Sequence, residues 1–356
     1  MTKFIRITKR DDLPRKKEIM ITVIAVLLSI VFAGIILVIF GLNPFSIFKE
    51  IIVGSLGTKV RIRQTIIKAV PLIIISLGII VAFKMKFWNI GAEGQMTIGA
   101  LGAAWVAYHM GENVPSIVVL TAMMLAAAIC GGLWAFIPAI FKAKVGTNET
   151  IFTLMMNYVA IKFVTYLQYG PWMDPAANGF PKMRMFNSNA ILPSIGGLHI
   201  GWIFAVLFTI IIYFFLKNTK LGYEISVVGE SIETARYAGM NIGKIIIVSM
   251  LMSGGLCGIA GMIQATGIEK TMVYGIANGM GFTAIIPAWL SKLNPVSSAI
   301  ICIAFAMLIQ GGDYIQVALG VPSSVSDVVQ GLVLFFVLGS EFFMRYKVHF
   351  GKGKEA

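Results

Sequence analysis

The chain has 356 residues, of which 58% are hydrophobic and only 13% charged, and its mean hydropathy is +0.86; soluble domains carry about 25% charged residues. That deficit excludes an ordinary water-soluble globule, and apolar runs that are continuous, not alternating, exclude a β-barrel and point to membrane-spanning helices. A formal charge of +13 would suggest nucleic acid in a soluble protein, but here the charges lie in short segments between apolar runs, so no nucleic-acid partner is expected and membrane lipid is.

In chain order, a basic leader over 1–18 precedes the first apolar run. No small-residue cleavage pattern follows that run, so it is expected to stay as an anchored helix. Apolar runs over 19–41, 66–83, 90–110, 115–141, 149–169, 201–217, 243–266, 279–291, 295–311 and 325–344 predict an all-α polytopic membrane protein of about ten spans, forming one transmembrane domain over 19–344. The eighth run is short enough to be re-entrant or broken. A Pro-, Gly- and Asn-rich segment over 170–200 is expected as an external loop. The segment 218–242 is expected to be internal with a helical core, and a basic tail covers 345–356. With ten spans both termini share a side. Of the lysines and arginines, 20 then fall on that side, 8 on the other and Lys162 within a span, which places both termini in the cytoplasm. The basic stretch 49–68 breaks this pattern: either it forms an amphipathic surface helix or the topology differs there.

Four motifs stand out. Asn89-Ile90-Gly91-Ala92-Glu93-Gly94-Gln95 opens the third span with polar side chains that are costly in lipid. Asn89 could cap the helix, with Glu93 held by Lys84 or Lys86, or Asn89, Glu93 and Gln95 could line a solute path. Gly146-Thr147-Asn148-Glu149 supplies a second helix cap. Asn157, two turns deeper, needs a partner, through interhelical hydrogen bonding or through contact with a polar solute. In Gly229–Gly239, Ser231 can cap and Gly239 can end a short polar helix, which by periodicity alone reads as an amphipathic connector. Gly254 and Gly258 lie four apart, a spacing that lets helix backbones touch, as Gly99 and Gly102 also suggest. Cys130, Cys257 and Cys302 lie in apolar runs and read as small apolar residues. His109, His199 and His349 read as surface residues, so no catalytic or metal-ligating set is expected.

These motifs together resemble the permeases of branched-chain amino acid, ribose and nucleoside ABC importers, most of all the nucleoside/simple-sugar branch. The blocks are Phe87-Trp88-Asn89-Ile90-Gly91-Ala92-Glu93-Gly94-Gln95, with Trp88 inserted before the usual Asn, then Asn148 to Tyr158, 221–239, and GMGFTAIIPAWLSKLNP at 279–295, where Pro287 and Trp289 replace small aliphatic residues. The resemblance implies a bacterial cytoplasmic-membrane permease that imports a small polar solute, nucleosides first, by alternating access. A sugar or a branched-chain amino acid is the alternative solute. It implies that 230–239 is a coupling helix, with Glu230, Glu233, Arg236, Tyr237 and Gly239 at the ATPase contact. It also implies a second, paralogous permease subunit forming a heterodimer, a cytoplasmic ATPase and an extracellular substrate-binding lipoprotein. No cofactor is expected on this chain, which would not itself be an enzyme; ATP and Mg are used by the ATPase. An ion-gradient-driven transporter is the rival class, and it would favour paired intramembrane acids, of which Glu93 is the one candidate.

Overall fold

The structure, a computed structural model, describes residues 5–9 and 14–350. A strand, β1 (Ile5–Lys9), precedes the apolar helix α1 (Arg15–Ile39). Asn43 then accepts from the Phe45 and Ser46 amides to start α2 (Pro44–Leu56), with proline at its first position, where a missing N–H costs nothing. The next helix, α3 (Lys59–Lys84), is 26 residues long. At roughly 39 Å it exceeds a hydrocarbon core of about 30 Å. Lys59, Arg61, Arg63 and Lys68 therefore occupy the leading turns of a spanning helix, while 49–56 lie in α2, so no single amphipathic helix covers 49–68.

Beyond it come α4 (Ala92–His109), α5 (Ser116–Val145) and α6 (Glu149–Tyr169). Gly146 ends α5 in the left-handed conformation and Asn148 caps α6, accepting from the Thr150 and Ile151 amides. The 170–200 loop carries a small hairpin, β2 (Ser194–Ile195) with β3 (Leu198–His199). Helices α7 (Gly201–Asn218), α8 (Lys220–Glu230), α9 (Ile232–Tyr237) and α10 (Ile242–Gln264) follow. The eighth predicted span breaks into α11 (Met280–Thr283) and α12 (Ile285–Leu290). The chain ends with α13 (Pro295–Leu319), α14 (Ser324–Arg345) and β4 (Tyr346–Phe350).

Among the described residues, seven helices are long and apolar enough to cross a membrane, in α1, α3, α5, α6, α7, α10 and α13. The remaining predicted spans fall on α4, whose first turn is polar, on the broken α11–α12 and on α14, so each of the ten runs becomes helical. The fold is that of a polytopic helical membrane protein.

The chain groups into two compact units. In the unit of residues 1–61 and 307–356, α1 packs along α14, and Leu37, Ile47, Ile51, Ile315 and Val321 form a small core. The Arg61 guanidinium lies 4.0 Å over the Tyr314 ring, and its Nη1 donates to the Val53 carbonyl at 3.1 Å. Strand β1 pairs antiparallel with β4, Ile5 opposite Phe350, so the two ends of the chain meet on one side. Residues 1–4, 10–13 and 351–356 of the expected leader and tail lie outside the described residues.

In the unit of residues 62–306, α10 packs against α4 and α5. A Cβ at Gly258 would strike the Ala127 carbonyl, and one at Gly99 would strike Gly258, so these backbones touch as the glycine spacing predicts. Cys257 and Cys302 are buried free thiols and Cys130 is half-buried.

The eighth crossing has an unusual course. Thr271 bridges to Met185 in the 170–200 loop, and the Tyr274 amide donates to Gln168 near the end of α6. Trp289, at the end of α12, lies 5.0 Å from Trp88 and 5.9 Å from Phe83, at the opposite end of α3 and α4. Non-helical backbone thus accompanies two short helices across this unit. Such a course is tolerated in a membrane only inside protein, and Met272, Ile276 and Ala277 are buried.

Candidate functional site

Three regions carry the polar chemistry. The first is buried and surrounds the start of α4. Asn89, Glu93, Gln95 and Asn157 are all buried there. Asn89 and Gln95 exchange side-chain amide bonds at 3.1 and 2.9 Å. Asn89 also donates to the Ser253 hydroxyl of α10 at 3.0 Å. The expected cap role of Asn89 is corrected: Gly91 is the N-cap, and the Asn89 amide instead joins α4 to α10. Asn157 accepts from the Gly94 amide at 2.8 Å and donates to the Ile90 carbonyl at 2.9 Å, which joins α6 to α4.

Glu93 is the centre of this cluster. One carboxylate oxygen accepts from the Gly279 amide and the other from the Gly281 amide, both at 2.8 Å. The ties to Lys84 or Lys86 weighed from sequence are replaced by two backbone donors at the break that begins α11. The free N–H groups of a helix start form a natural seat for a carboxylate. A Cβ at Gly281 would collide with the Glu93 backbone, so glycine there permits the approach. Every side-chain nitrogen and oxygen of Asn89, Glu93, Gln95 and Asn157 has a protein partner. Sequence reasoning brought these four together but missed Ser253, Thr153, whose hydroxyl accepts from the Ile90 amide at 3.2 Å, and the glycine amides. Ser253 and Thr153 were legible as polar residues in apolar runs; the amides carried no signal.

Trp88 and Trp289, two of the three departures from the expected blocks, meet each other, with Phe83 completing a group of three rings.

The second region is exposed. Ser231 caps α9 by accepting from the Thr234 amide at 3.1 Å, and Gly239 at φ +71° closes the segment. Both were expected. Ala235 is buried, whereas Glu230, Glu233, Arg236 and Gly239 are exposed and Tyr237 is 96% exposed. The Ser231 hydroxyl donates to Glu233 at 3.2 Å, and the residue's own backbone N–H and that hydroxyl hold the Glu233 carboxyl below the usual range. The segment lies between two clefts. One of about 320 Å³ is bordered by Met85, Phe87, Glu230, Ile232 and Ile246. The other, of about 630 Å³, is bordered by Tyr223, Glu224, Gly239 and Lys244. An ion pair of 2.8 Å between Lys142 and Glu149 stands at the first cleft and fastens the end of α5 to the start of α6.

The third region is the face of α6 turned away from α4, where Ile151, Met155, Tyr158, Lys162, Tyr166 and Tyr169 are exposed. Sequence reasoning placed Lys162 inside a span without assigning it a role; its charge was the signal.

His199 departs from the surface reading. It is buried, its Nδ1 accepts from the Gly201 amide at 3.2 Å at the start of α7, and burial lowers its pKa. No cluster of His, Cys, Asp and Glu able to hold a metal occurs among the described residues.

The family model described as branched-chain amino acid transport system / permease component matches residues 61–338. A glucose ABC transporter permease protein of Haloferax volcanii is 34% identical, covering 92% of this chain and 88% of that protein. A guanosine ABC transporter permease protein of Bacillus subtilis is 31% identical over 96% and 97%, and a nucleoside ABC transporter permease protein of Lactococcus lactis is 27% identical over 91% and 91%. A second guanosine permease of Bacillus subtilis matches at 26% over 67% and 77%.

Proposed function

From the premise that the chain belongs to the family of branched-chain amino acid transport system permease components, as a permease subunit of an ATP-binding cassette importer, we propose that its solute is a nucleoside and that α9 couples it to a separate ATPase. The observation that carries the coupling role is Tyr237. An aromatic ring 96% exposed at the end of a six-residue helix has no use within the chain. A helix that short is not stable alone, and the clefts on either side leave room for a partner's surface. Glu230, Glu233 and Arg236 give that contact its charges, and Gly239 lets the chain turn back into α10.

In this reading both termini and the 218–242 segment are cytoplasmic, as the lysine and arginine count favours. The paired guanosine permeases of Bacillus subtilis support a second, paralogous permease subunit here. An extracellular binding lipoprotein delivers solute, the ATPase closes on ATP and Mg, and α9 passes that movement to the membrane helices. Binding alone cannot concentrate a solute, so the work comes from the partner.

Asn89, Glu93, Gln95 and Asn157 serve the path at one remove. Their bonds are satisfied within the protein: Asn89, Gln95 and Asn157 fix the start of α4 against α10 and α6, and Glu93 from there holds the break that begins α11, so that its non-helical backbone can stand beside the route.

The test is reconstitution with the neighbouring ATPase, the second permease and the binding protein, followed by ATP-dependent uptake of radiolabelled guanosine, uridine, glucose and leucine. Guanosine or uridine accumulation is expected. Glucose is the second reading, favoured by the 34% identity to the haloarchaeal glucose permease. Accumulation driven by a proton or sodium gradient without the ATPase would end the proposal.

A further inference from the structure

The buried face of α6 is fixed by Thr153, Asn157, Ala160, Val164 and Gln168. Its opposite face carries an apolar row, Ile151, Met155, Val159 and Phe163, and beside it Tyr158, Lys162 and Tyr166 at successive four-residue steps, which stack on one side of a helix. Helix α7 shows what a lipid-facing surface requires: its exposed Ile203, Val206, Leu207, Ile210, Ile211 and Phe214 are uniformly apolar, and its lysine, Lys217, waits for the last turn. Helix α5 likewise keeps Lys142 and Lys144 for its last turn.

Lys162 obeys no such rule. It is exposed, about 20 Å along α6 from Glu149 and about 10 Å short of Tyr169, at 1.5 Å per residue. A lysine near a helix end can carry its ammonium to the interface along its stem, but Lys162 lies two turns inside, with Tyr166 between it and the end. A charge at that depth faces water or protein, not lipid tails.

We propose that the Tyr158–Lys162–Tyr166 stripe lines the water-filled route of the solute and that Lys162 sets its charge preference. The ammonium offers three donors and no acceptor. It therefore favours a neutral or anionic ring compound that presents oxygen acceptors, as a ribose, a hexose or a nucleobase carbonyl does, and it repels organic cations. The flanking rings give a planar solute faces to slide along. This inference rests on the importer reading for the existence of a route; the choice of face rests on the charge alone.

The experiment separates the two. Lys162→Cys, Tyr158→Cys and, as a lipid-facing control, Ile210→Cys are made in the full chain, expressed with its partners in membrane vesicles, and treated with the charged thiol reagent sulfonatoethyl methanethiosulfonate, with the wild type as blank. Positions 158 and 162 should react at least 10-fold faster than position 210, and saturating guanosine or glucose, whichever the wild type imports, should slow them. In uptake, Lys162→Met should lose at least 10-fold with unchanged permease yield and ATPase co-purification. Lys162→Arg should retain most uptake, and Lys162→Glu should lose it and admit a cationic analogue of the solute. If position 162 reacts no faster than 210, the stripe is covered by lipid or by the second subunit and the proposal fails. If it reacts but Lys162→Met transports normally, the charge selects nothing and the specificity role fails. A wild-type complex with no ATP-driven uptake defeats the importer reading instead, and the labelling contrast still judges the face.

Discussion

The buried cluster around Glu93 and the exposed segment around Tyr237 are both polar motifs in an apolar chain, and they meet opposite fates. In the first, every side-chain donor and acceptor is answered by another part of the same chain. In the second, the charged and aromatic side chains point out of the chain while a buried alanine and a serine cap hold the short helix in shape. Polar residues enclosed by protein hold it together, because an unanswered group there costs free energy. Polar residues left outside at no such cost are free to meet a partner. The contrast predicts that substitutions in the cluster reduce the amount of folded protein, and substitutions in the segment reduce only coupled work.

Glu93→Ala should have the largest effect. It strands two amides that now donate to a carboxylate; such bonds contribute about 1.5–3 kcal/mol each, so a loss of about 3–6 kcal/mol is expected, read as a collapse in detergent-stable yield and melting temperature. A stable, normally assembling Glu93→Ala permease would break the comparison at its strongest point. Asn157→Leu comes next. Hydrogen bonds between membrane helices are worth about 0.6–2 kcal/mol, so the melting temperature should fall by less and uptake should persist in part.

Arg236→Glu and Tyr237→Ala should leave yield and melting temperature unchanged while ATPase co-purification and uptake drop at least 10-fold. Normal co-purification in both variants would reduce 230–239 to a connector. Smallest of all should be Glu233→Ala. The Ser231 cap bonds the Thr234 amide without it, so permease yield should not move, and only the affinity for the ATPase, measured by titration, should change by a few fold.

Composition made the helices legible, since an apolar run of about 20 residues has little else it can be. The caps were legible too: Asn148 and Ser231 act as their side chains suggest. What escaped was long-range. Glu93 and Gly279 are separated by 186 positions, and no local pattern announces that a carboxylate will be answered by the amides of a distant break. Helix α2 was anticipated only from residue 49 onward, because its mixed polarity fits neither a span nor a loop. Lys162 shows a third kind of limit. The sequence placed it in a span, but which side of α6 it occupies follows only from knowing that Asn157 and Gln168 bind the rest of the chain.

The 186-position interval between Glu93 and its first amide donor also has a temporal meaning. At a synthesis rate of about 5–20 residues per second, Glu93 leaves the ribosome roughly 10–40 s before Gly279 does. Through that interval a carboxylate destined for the interior has no native partner. It must wait in water, protonated in the bilayer, or in the care of the insertion machinery, while α5, α6, α7 and α10 are laid down around it. The eighth crossing, whose helices are only four and six residues long, can settle only when that carboxylate is there to receive it. Assembly of this unit is therefore closed by one of the last segments made, acting on one of the first.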